Sequence, residues 1–198
     1  MNPIRTFIAI ELPDDLRRRI AAAQAELKQT RERVGWTRPE NIHLTLRFLG
    51  DVAQERIPAV ADAMGNAAAG FSVFSVTVAG LGAFPNLKRP RVLWVGVQDP
   101  GGELTELARR LENALNEIGF ERERRPFRPH LTLGRVKSPP SRAFCDRLAQ
   151  ARFDPGQVRV SEIVLMKSDL RPTGAVYTPL NRVALSVSEK QKTEGLHE

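Results

Sequence analysis

The chain of 198 residues contains one cysteine, one tyrosine, two tryptophans and three histidines. The lone Cys145 excludes an internal disulfide framework and any cysteine-cluster zinc site. Long apolar runs are also missing: none approaches the ~20 residues that a membrane-spanning helix needs. The opening MNPIRTFIAIELPDD has no apolar h-region and meets an acidic pair early, so no secretory signal is read there. A soluble, reducing, cytoplasmic setting is expected, without a membrane partner. Lysine is scarce as well, with 30 Lys and Arg in total, of which 6 are lysines and 24 arginines.

Positive charge and enough apolar residue for a core are present. The formal net charge of +7 favours a polyanionic partner, either nucleic acid or a phosphorylated small molecule. Arginine presents a planar fork of donors that matches phosphate oxygens two at a time. Hydrophobic residues make up 41%, which rules out a wholly disordered chain.

Strand and helix patterns alternate along the sequence. Residues 6–12 (TFIAIEL) read as a buried strand, followed by a helix that starts at Pro13-Asp14-Asp15 and buries Leu16, Ile20, Ala23 and Leu27. Residues 42–49 (IHLTLRFL) alternate as a strand, 52–69 as an Ala-rich helix and 72–79 as a strand. Residues 80–90, with their Gly and Pro, read as a loop. A strand at 91–97, a helix at 103–118, a charged loop at 121–128 and a strand at 130–136 follow. A short helix at 139–150 and strands at 158–166 and 175–185 complete the pattern. The tail, 188–198, is polar.

This order repeats. From Arg91 the succession of the first half begins again, giving repeat-like halves of about 4–90 and 91–185 within one bilobal domain at 1–187. Two copies are too few for a solenoid, so a two-lobed protein with a pseudo-two-fold axis is expected.

The tetrad HLTL stands in both halves, at His43–Leu46 and His130–Leu133. Two of the three histidines lie in it, and His197 lies in the tail. Residues two apart in a strand share a face, so His43 projects with Thr45 and His130 with Thr132, while the leucines bury the other side. A two-fold axis that sets the strands side by side brings two imidazoles and two hydroxyls into one cleft. Imidazole titrates near pH ~6.5, so one ring can be neutral and the other protonated. In-line displacement at a phosphodiester needs that combination: a base for the attacking water and an acid for the leaving alkoxide. A metal site would want nearby carboxylates or a third histidine, and neither tetrad has one adjacent, so no metal or other cofactor is expected.

The doubled HxTx tetrad, the near-symmetric halves and the segments FIAIELP, HLTLRFLGDV, PRVLWVGV and RPHLTLGRV resemble the 2H phosphoesterase superfamily over about residues 4–185. Within it the similarity is closest to the bacterial and archaeal RNA 2′,3′-cyclic phosphodiesterases, long named 2′-5′ RNA ligases. The resemblance implies an α+β fold of two lobes. Each lobe would be an antiparallel sheet with helices outside, and the active-site cleft would lie between them. It implies hydrolysis of RNA 2′,3′-cyclic phosphate ends, tRNA-half-like fragments among them, to 2′-phosphomonoesters. Reversible 2′-5′ joining is a further possibility, and ATP and an obligate protein partner are not needed. By resemblance His43 is the general acid for the 3′ oxygen and His130 the base for water, while Thr45 and Thr132 hold phosphoryl oxygens. Sequence symmetry leaves the two histidine roles exchangeable.

Around the tetrads, alternation aims Arg47 into the cleft for a phosphate contact. Arg128 lies two residues before His130, on its face. Arg135 falls on the opposite face unless a bulge near Gly134 re-aims it. Phe84, in the 80–90 loop, is the candidate platform for an RNA base. Lys88, Arg89 and Arg91 form a basic cluster beside it. Trp94 and Tyr177 read as core residues, Trp36 is ambiguous, and Cys145 reads as a structural thiol. The alternatives are a phosphodiesterase of 2′-5′ oligonucleotides or nucleotide cyclic phosphates, and a non-catalytic RNA-binding module.

Overall fold

The computed structural model describes residues 2–172 and 174–186; the tail at 188–198 and His197 lie outside the described residues. Nine strands and four α-helices are formed among them. In chain order they are β1 (Ile4–Ile10), α1 (Asp14–Lys28), β2 (Val34–Trp36), β3 (Leu44–Val52), α2 (Ile57–Ala68), β4 (Phe74–Phe84) and β5 (Val92–Gln98). Next come α3 (Glu103–Glu117), β6 (His130–Val136), α4 (Arg142–Gln150), β7 (Gly156–Val160), β8 (Glu162–Arg171) and β9 (Gly174–Ala184).

All the pairing between these strands is antiparallel, in the order β7-β4-β5-β6-β3-β1-β8-β9, with β2 added against β6. The sheet is hinged at its middle. β3 and β6 share a single register pair, Leu44 opposite Leu131, whereas their outer neighbours are paired at length. Four strands lie on the β3 side of this joint and five, β2 included, on the β6 side, so the expected pair of lobes is two arms of one sheet. The order reads outward the same way on both sides: a tetrad strand (β3 or β6), the strand that opens its half (β1 or β5), then a long strand (β8 or β4).

The two repeat halves do not map onto the two lobes. One lobe joins β1 and β3 from the first half to β8 and β9 from the second. The other joins β2 and β4 from the first half to β5, β6 and β7 from the second. Helices cross over as well: α3 packs on β3, while the α1 side chain Gln24 bonds a carbonyl of β6. Antiparallel neighbours that lie far apart in sequence are what link the halves.

A continuous core lies between sheet and helices. It takes Leu44 and Leu46 from β3 and Leu131 and Leu133 from β6, against Leu16, Ile20, Met64, Leu107, Leu111 and Phe144 from the helices. The buried parity of both tetrads is therefore the one alternation predicts.

Three boundaries differ from expectation. β4 runs through residues 80–84, which read as loop in the sequence. Gly80 has φ +74° and the β4–β5 register shifts between Ala79 and Leu81, so these glycines make a bulge inside the strand. Residues 158–166, expected as one strand, divide into β7 and β8 on different arms. β2 is an addition that the sequence pattern does not signal. It is short, and it needs Gly134, where an added Cβ would stand 2.9 Å from Val34 and 3.2 Å from the Trp36 backbone. Trp36 thus packs in β2 against β6, with the Lys28 ammonium over its ring.

Candidate active site

Because Leu44 faces Leu131 in an antiparallel pair, one step to either side sets His43 opposite Thr132 and Thr45 opposite His130. The two tetrads therefore form a crossed square about the joint of the sheet. All four side chains line one cavity of about 650 Å³, together with Arg47, Phe48, Arg125, Arg128, Arg135 and Tyr177.

Both imidazoles are held in the same way. His43 Nδ1 lies 2.9 Å from the Asn41 carbonyl, and His130 Nδ1 lies 2.7 Å from the Arg128 carbonyl. A carbonyl only accepts, so each Nδ1 carries the hydrogen, which leaves Nε2 of each ring as the atom that can take up or give a proton. The carbonyl comes from two residues upstream in both cases, so the lock belongs to the backbone of the motif. Asn41 is itself tied down, its Nδ2 donating to the Ala175 carbonyl of β9 at 2.7 Å.

The surroundings of the two rings differ. His43 stacks on Phe7, with centroids 4.5 Å apart and planes 23° from parallel, and Tyr177 meets it edge-on at 5.2 Å. Phe7, Ala9, Val164 and Met166 form a second small apolar cluster under it, capped by Tyr177. Burial there pushes the His43 pKa down from 6.5 to about 4; the Asn41 hydrogen bond opposes the shift, the Arg17 charge adds to it and the Glu11 charge opposes it. His43 is consequently neutral in the empty cleft at neutral pH. His130 is half-buried, and the Phe84 ring stands perpendicular to it with centroids 5.1 Å apart. Burial also raises the Tyr177 pKa, against the lowering effect of Arg5 and Arg135, so its phenol keeps its proton.

β-bulges decide which residues follow the tetrads into the cavity. In β6, Trp94 pairs with Thr132 and Leu93 with Gly134, leaving Leu133 as the extra residue. The bulge swings Arg135 onto the face of His130, as expected for a bulge at this place, and Arg135 lines the cavity. In β3, Ala9 pairs with Thr45 and Ile8 with Arg47, leaving Leu46 as the extra residue. Here the bulge works against the expectation for Arg47, which simple alternation aims at phosphate. Its guanidinium instead reaches Glu112 of α3 at 3.2 Å, Glu123 at 3.1 Å and the Glu121 carbonyl. Arg47 still borders the cavity, but its charge ties the 121–128 loop to β3. Phe48 takes the cleft-facing place, its ring 5.7 Å from Phe7.

Arg128 is exposed on the cavity wall while its carbonyl holds His130. Phe84 is corrected in place. It ends β4 and does not stand in a loop; it is half-buried, with its ring 5.3 Å from Trp94 and 5.1 Å from His130. Trp94 packs over Gly82, where any Cβ would overlap its ring. Tyr177, expected in the core, stands at the site. Lys88, Arg89 and Arg91 are exposed beside Asn86, whose carboxamide oxygen accepts from the Lys88 and Arg89 amides. Cys145 is half-buried, and its thiol pKa is raised chiefly by desolvation, as befits an unreactive thiol.

Phe7, Phe48, Tyr177 and Gln24 escape a reading of the sequence alone. Gln24 is fully buried in α1. Its Nε2 donates to the Thr37 carbonyl at 2.8 Å and to the Leu133 carbonyl at 2.9 Å, clamping the bulged residue of β6. One signal does point to it: Gln24 is a polar residue within the buried stripe of its helix, between Ala23 and Leu27. Among the described residues no three of His, Cys, Asp and Glu are grouped as metal ligands would be.

The family model for the 2′-5′ RNA ligase superfamily matches residues 7–172. An RNA 2′,3′-cyclic phosphodiesterase of Methanothermobacter thermautotrophicus is 36% identical over 182 residues, 89% of this chain and 96% of that protein. One of Thermotoga maritima is 36% identical over 177 residues, 89% of this chain and 93% of that protein. Among solved structures, a Thermus thermophilus protein superposes with a TM-score of 0.78 at 28% identity, covering 94% of this chain and 100% of that one. E. coli LigT in its apo form does so with a TM-score of 0.74 at 30% identity, covering 94% and 99%.

Proposed function

This chain belongs to the 2′-5′ RNA ligase superfamily, and on that premise we propose that it is an RNA 2′,3′-cyclic phosphodiesterase working through His43 and His130. The crossed square of the tetrads carries the reading: two imidazoles with matching tautomers and two hydroxyls border one cavity.

The cyclic phosphate binds over the square. Water attacks phosphorus, one Nε2 takes the water proton, the bond from phosphorus to O3′ breaks, and the other Nε2 gives O3′ its proton. A 2′-phosphomonoester and a free 3′-hydroxyl result. The family resemblance gives His43 the donor role and His130 the acceptor role. His43, neutral in the empty cleft, takes up a proton at Nε2 from solvent as the negative phosphodiester binds and raises its proton affinity; that proton goes to O3′, and His130 afterwards returns the water proton to solvent. The Thr45 and Thr132 hydroxyls donate to the non-bridging oxygens, whose charge grows in the transition state. Arg128 and Arg135 on the cavity wall offset that charge. Every step uses the chain's own groups, and one chain builds the whole cleft, which supports a monomer without an obligate protein partner. RNA ends such as tRNA-half-like fragments, met in the cytoplasm, are the proposed substrates. No helix among the described residues is long and apolar enough to cross a membrane.

The test is incubation of an oligonucleotide ending in a 2′,3′-cyclic phosphate with the protein in EDTA. Opening to the 2′-phosphate that is lost in both His43→Ala and His130→Ala supports the mechanism. Activity retained in either variant refutes the two-histidine scheme, a metal requirement refutes the metal-free one, and binding without opening leaves an RNA-binding module. A second reading, 2′-5′ joining, is the same displacement with a 5′-hydroxyl in place of water: its oxygen bonds phosphorus, the bond to O3′ breaks, and a 2′-5′ linkage forms. It is supported by the name of the family and tested by adding a 5′-hydroxyl strand.

A further inference from the structure

Each histidine lock is supported from another part of the chain. The Asn41 carbonyl that accepts from His43 is steadied by the Asn41 carboxamide, which donates to the Ala175 carbonyl of β9. The Arg128 carbonyl that accepts from His130 comes from a segment without regular structure, between α3 and β6. Among the described residues no backbone–backbone hydrogen bond joins residues 121–127 to another segment. Side chains hold this loop instead. Arg47 Nε lies 3.2 Å from the Glu112 carboxylate and its Nη1 3.1 Å from that of Glu123, and the guanidinium also donates to the Glu121 carbonyl. Glu112 in turn accepts from the Glu123 amide. The Arg47 side chain is 12% exposed and that of Glu112 20%, so their contact is largely shielded from water. From Glu123 to Arg128 the chain is stiff. Pro126 and Pro129 fix their own φ and favour extended backbone at the residues before them, Arg125 and Arg128. Phe127, between them, packs against the core. A tie at 121–123 therefore carries through to the Arg128 carbonyl. Arg47 itself stands on the other tetrad strand, two residues after Thr45.

We propose that Arg47 is a positioning residue for His130: it fixes the loop that sets the Arg128 carbonyl, and so holds the His130 ring with Nδ1–H on that carbonyl and Nε2 toward the cleft. One tetrad strand thus steadies the histidine of the other. The effect on turnover rests on the phosphodiesterase reading, whereas the effect on the ring does not. A guanidinium enclosed by two carboxylates and a carbonyl has few donors left for a substrate phosphate, so Arg47 acts on rate and not on affinity. Turnover responds because proton transfer needs the ring nitrogen within hydrogen-bond reach of the reacting oxygen, and small misplacements are costly. His43, with its separate support at Ala175, is indifferent to Arg47.

The test follows the ring nitrogens by NMR in protein labelled with 15N-histidine, using Arg47→Met, Arg47→Lys and Glu123→Ala. Arg47→Met should turn the single Nδ1–H tautomer of His130 into a mixture and leave His43 unchanged. On a 2′,3′-cyclic-phosphate oligonucleotide its kcat should fall about 10–100-fold, with KM and the affinity for inorganic phosphate within about twofold of wild type. Arg47→Lys keeps the charge without the fork and should restore part of kcat. Glu123→Ala removes one tie at an exposed position and should move His130 and kcat the same way by less, so it decides the matter where Arg47→Met does not fold. An undisturbed His130 tautomer in these variants, equal changes at both imidazoles, a disturbed His130 with full kcat, or a loss of phosphate affinity with His130 intact would each overturn the proposal. A wild-type protein that opens no cyclic end refutes the phosphodiesterase reading instead, and the ring signals then decide Arg47 by themselves.

Discussion

The two HLTL tetrads are identical in sequence and locked by the same hydrogen bond, yet they serve two unlike histidines. His43 lies flat on Phe7 above a small apolar cluster and under Tyr177, and its pKa is about 4. His130 stands at the end of a charged loop with the perpendicular ring of Phe84 beside it. The tautomer lock is common to both because it comes from a backbone carbonyl two residues away. The depressed proton affinity of His43 comes from burial among side chains of other strands, Phe7 of β1 and Tyr177 of β9, whereas the ring beside His130 is Phe84 of β4. A duplicated motif keeps what its own backbone supplies and loses what its neighbours supply.

This contrast is open to test. Removing either imidazole should have the largest effect: His43→Ala and His130→Ala should each lower kcat about 10²–10⁴-fold on a 2′,3′-cyclic-phosphate oligonucleotide. A large loss in only one variant would break the scheme of equal partners. The hydroxyls should come next. Thr45→Val and Thr132→Val are expected to lower kcat about 10²-fold each with KM less affected, since their donors act on charge that develops in the transition state. A pure KM effect would assign them to ground-state binding.

Third, stability should report the burial of His43. Its folded pKa is depressed below the unfolded 6.5, so the unfolded chain binds the proton more tightly. The stabilising contribution is complete above pH 6.5 and is lost as pH falls toward about 4, by about 3 kcal/mol. Denaturant unfolding of wild type and His43→Gln at pH 7 and at about pH 4.5 measures it: the variant should lack this component. An acid-side decline of the same depth in His43→Gln would contradict the burial argument. The smallest effect is expected at the clamp on the other arm. Gln24→Met leaves the Thr37 carbonyl without this buried donor and should cost about 1–2 kcal/mol in unfolding free energy. It should lower turnover only as far as the β6 bulge loosens. Turnover unchanged at full loss of stability would limit Gln24 to the core.

The strand character of both tetrads, the buried parity of their leucines and the convergence of four polar side chains were legible from residue types and spacing. So was the two-armed α+β plan, and the Arg135 position was legible as conditional on a bulge. Arg47 and Phe48 were not, for one physical reason: an extra residue at Leu46 reverses the alternation beyond it, and nothing local in LTLRFLG marks where the ladder slips. Tyr177 was out of reach because its partners lie on distant strands, and Gln24 showed only as a polar residue in a buried helical stripe, its acceptors being set by distant segments. Phe84 was misplaced because glycines that read as a loop instead make a bulge in β4.

By itself the sequence determined the chemistry available at the centre, because the spacing of His and Thr in a strand sets them on one face whatever surrounds them. The tertiary structure decided which half supplies which arm, which histidine is buried, and whether a cation or an aromatic ring stands beside each tetrad. Those outcomes depend on pairing between distant segments and on the desolvation that only packing produces.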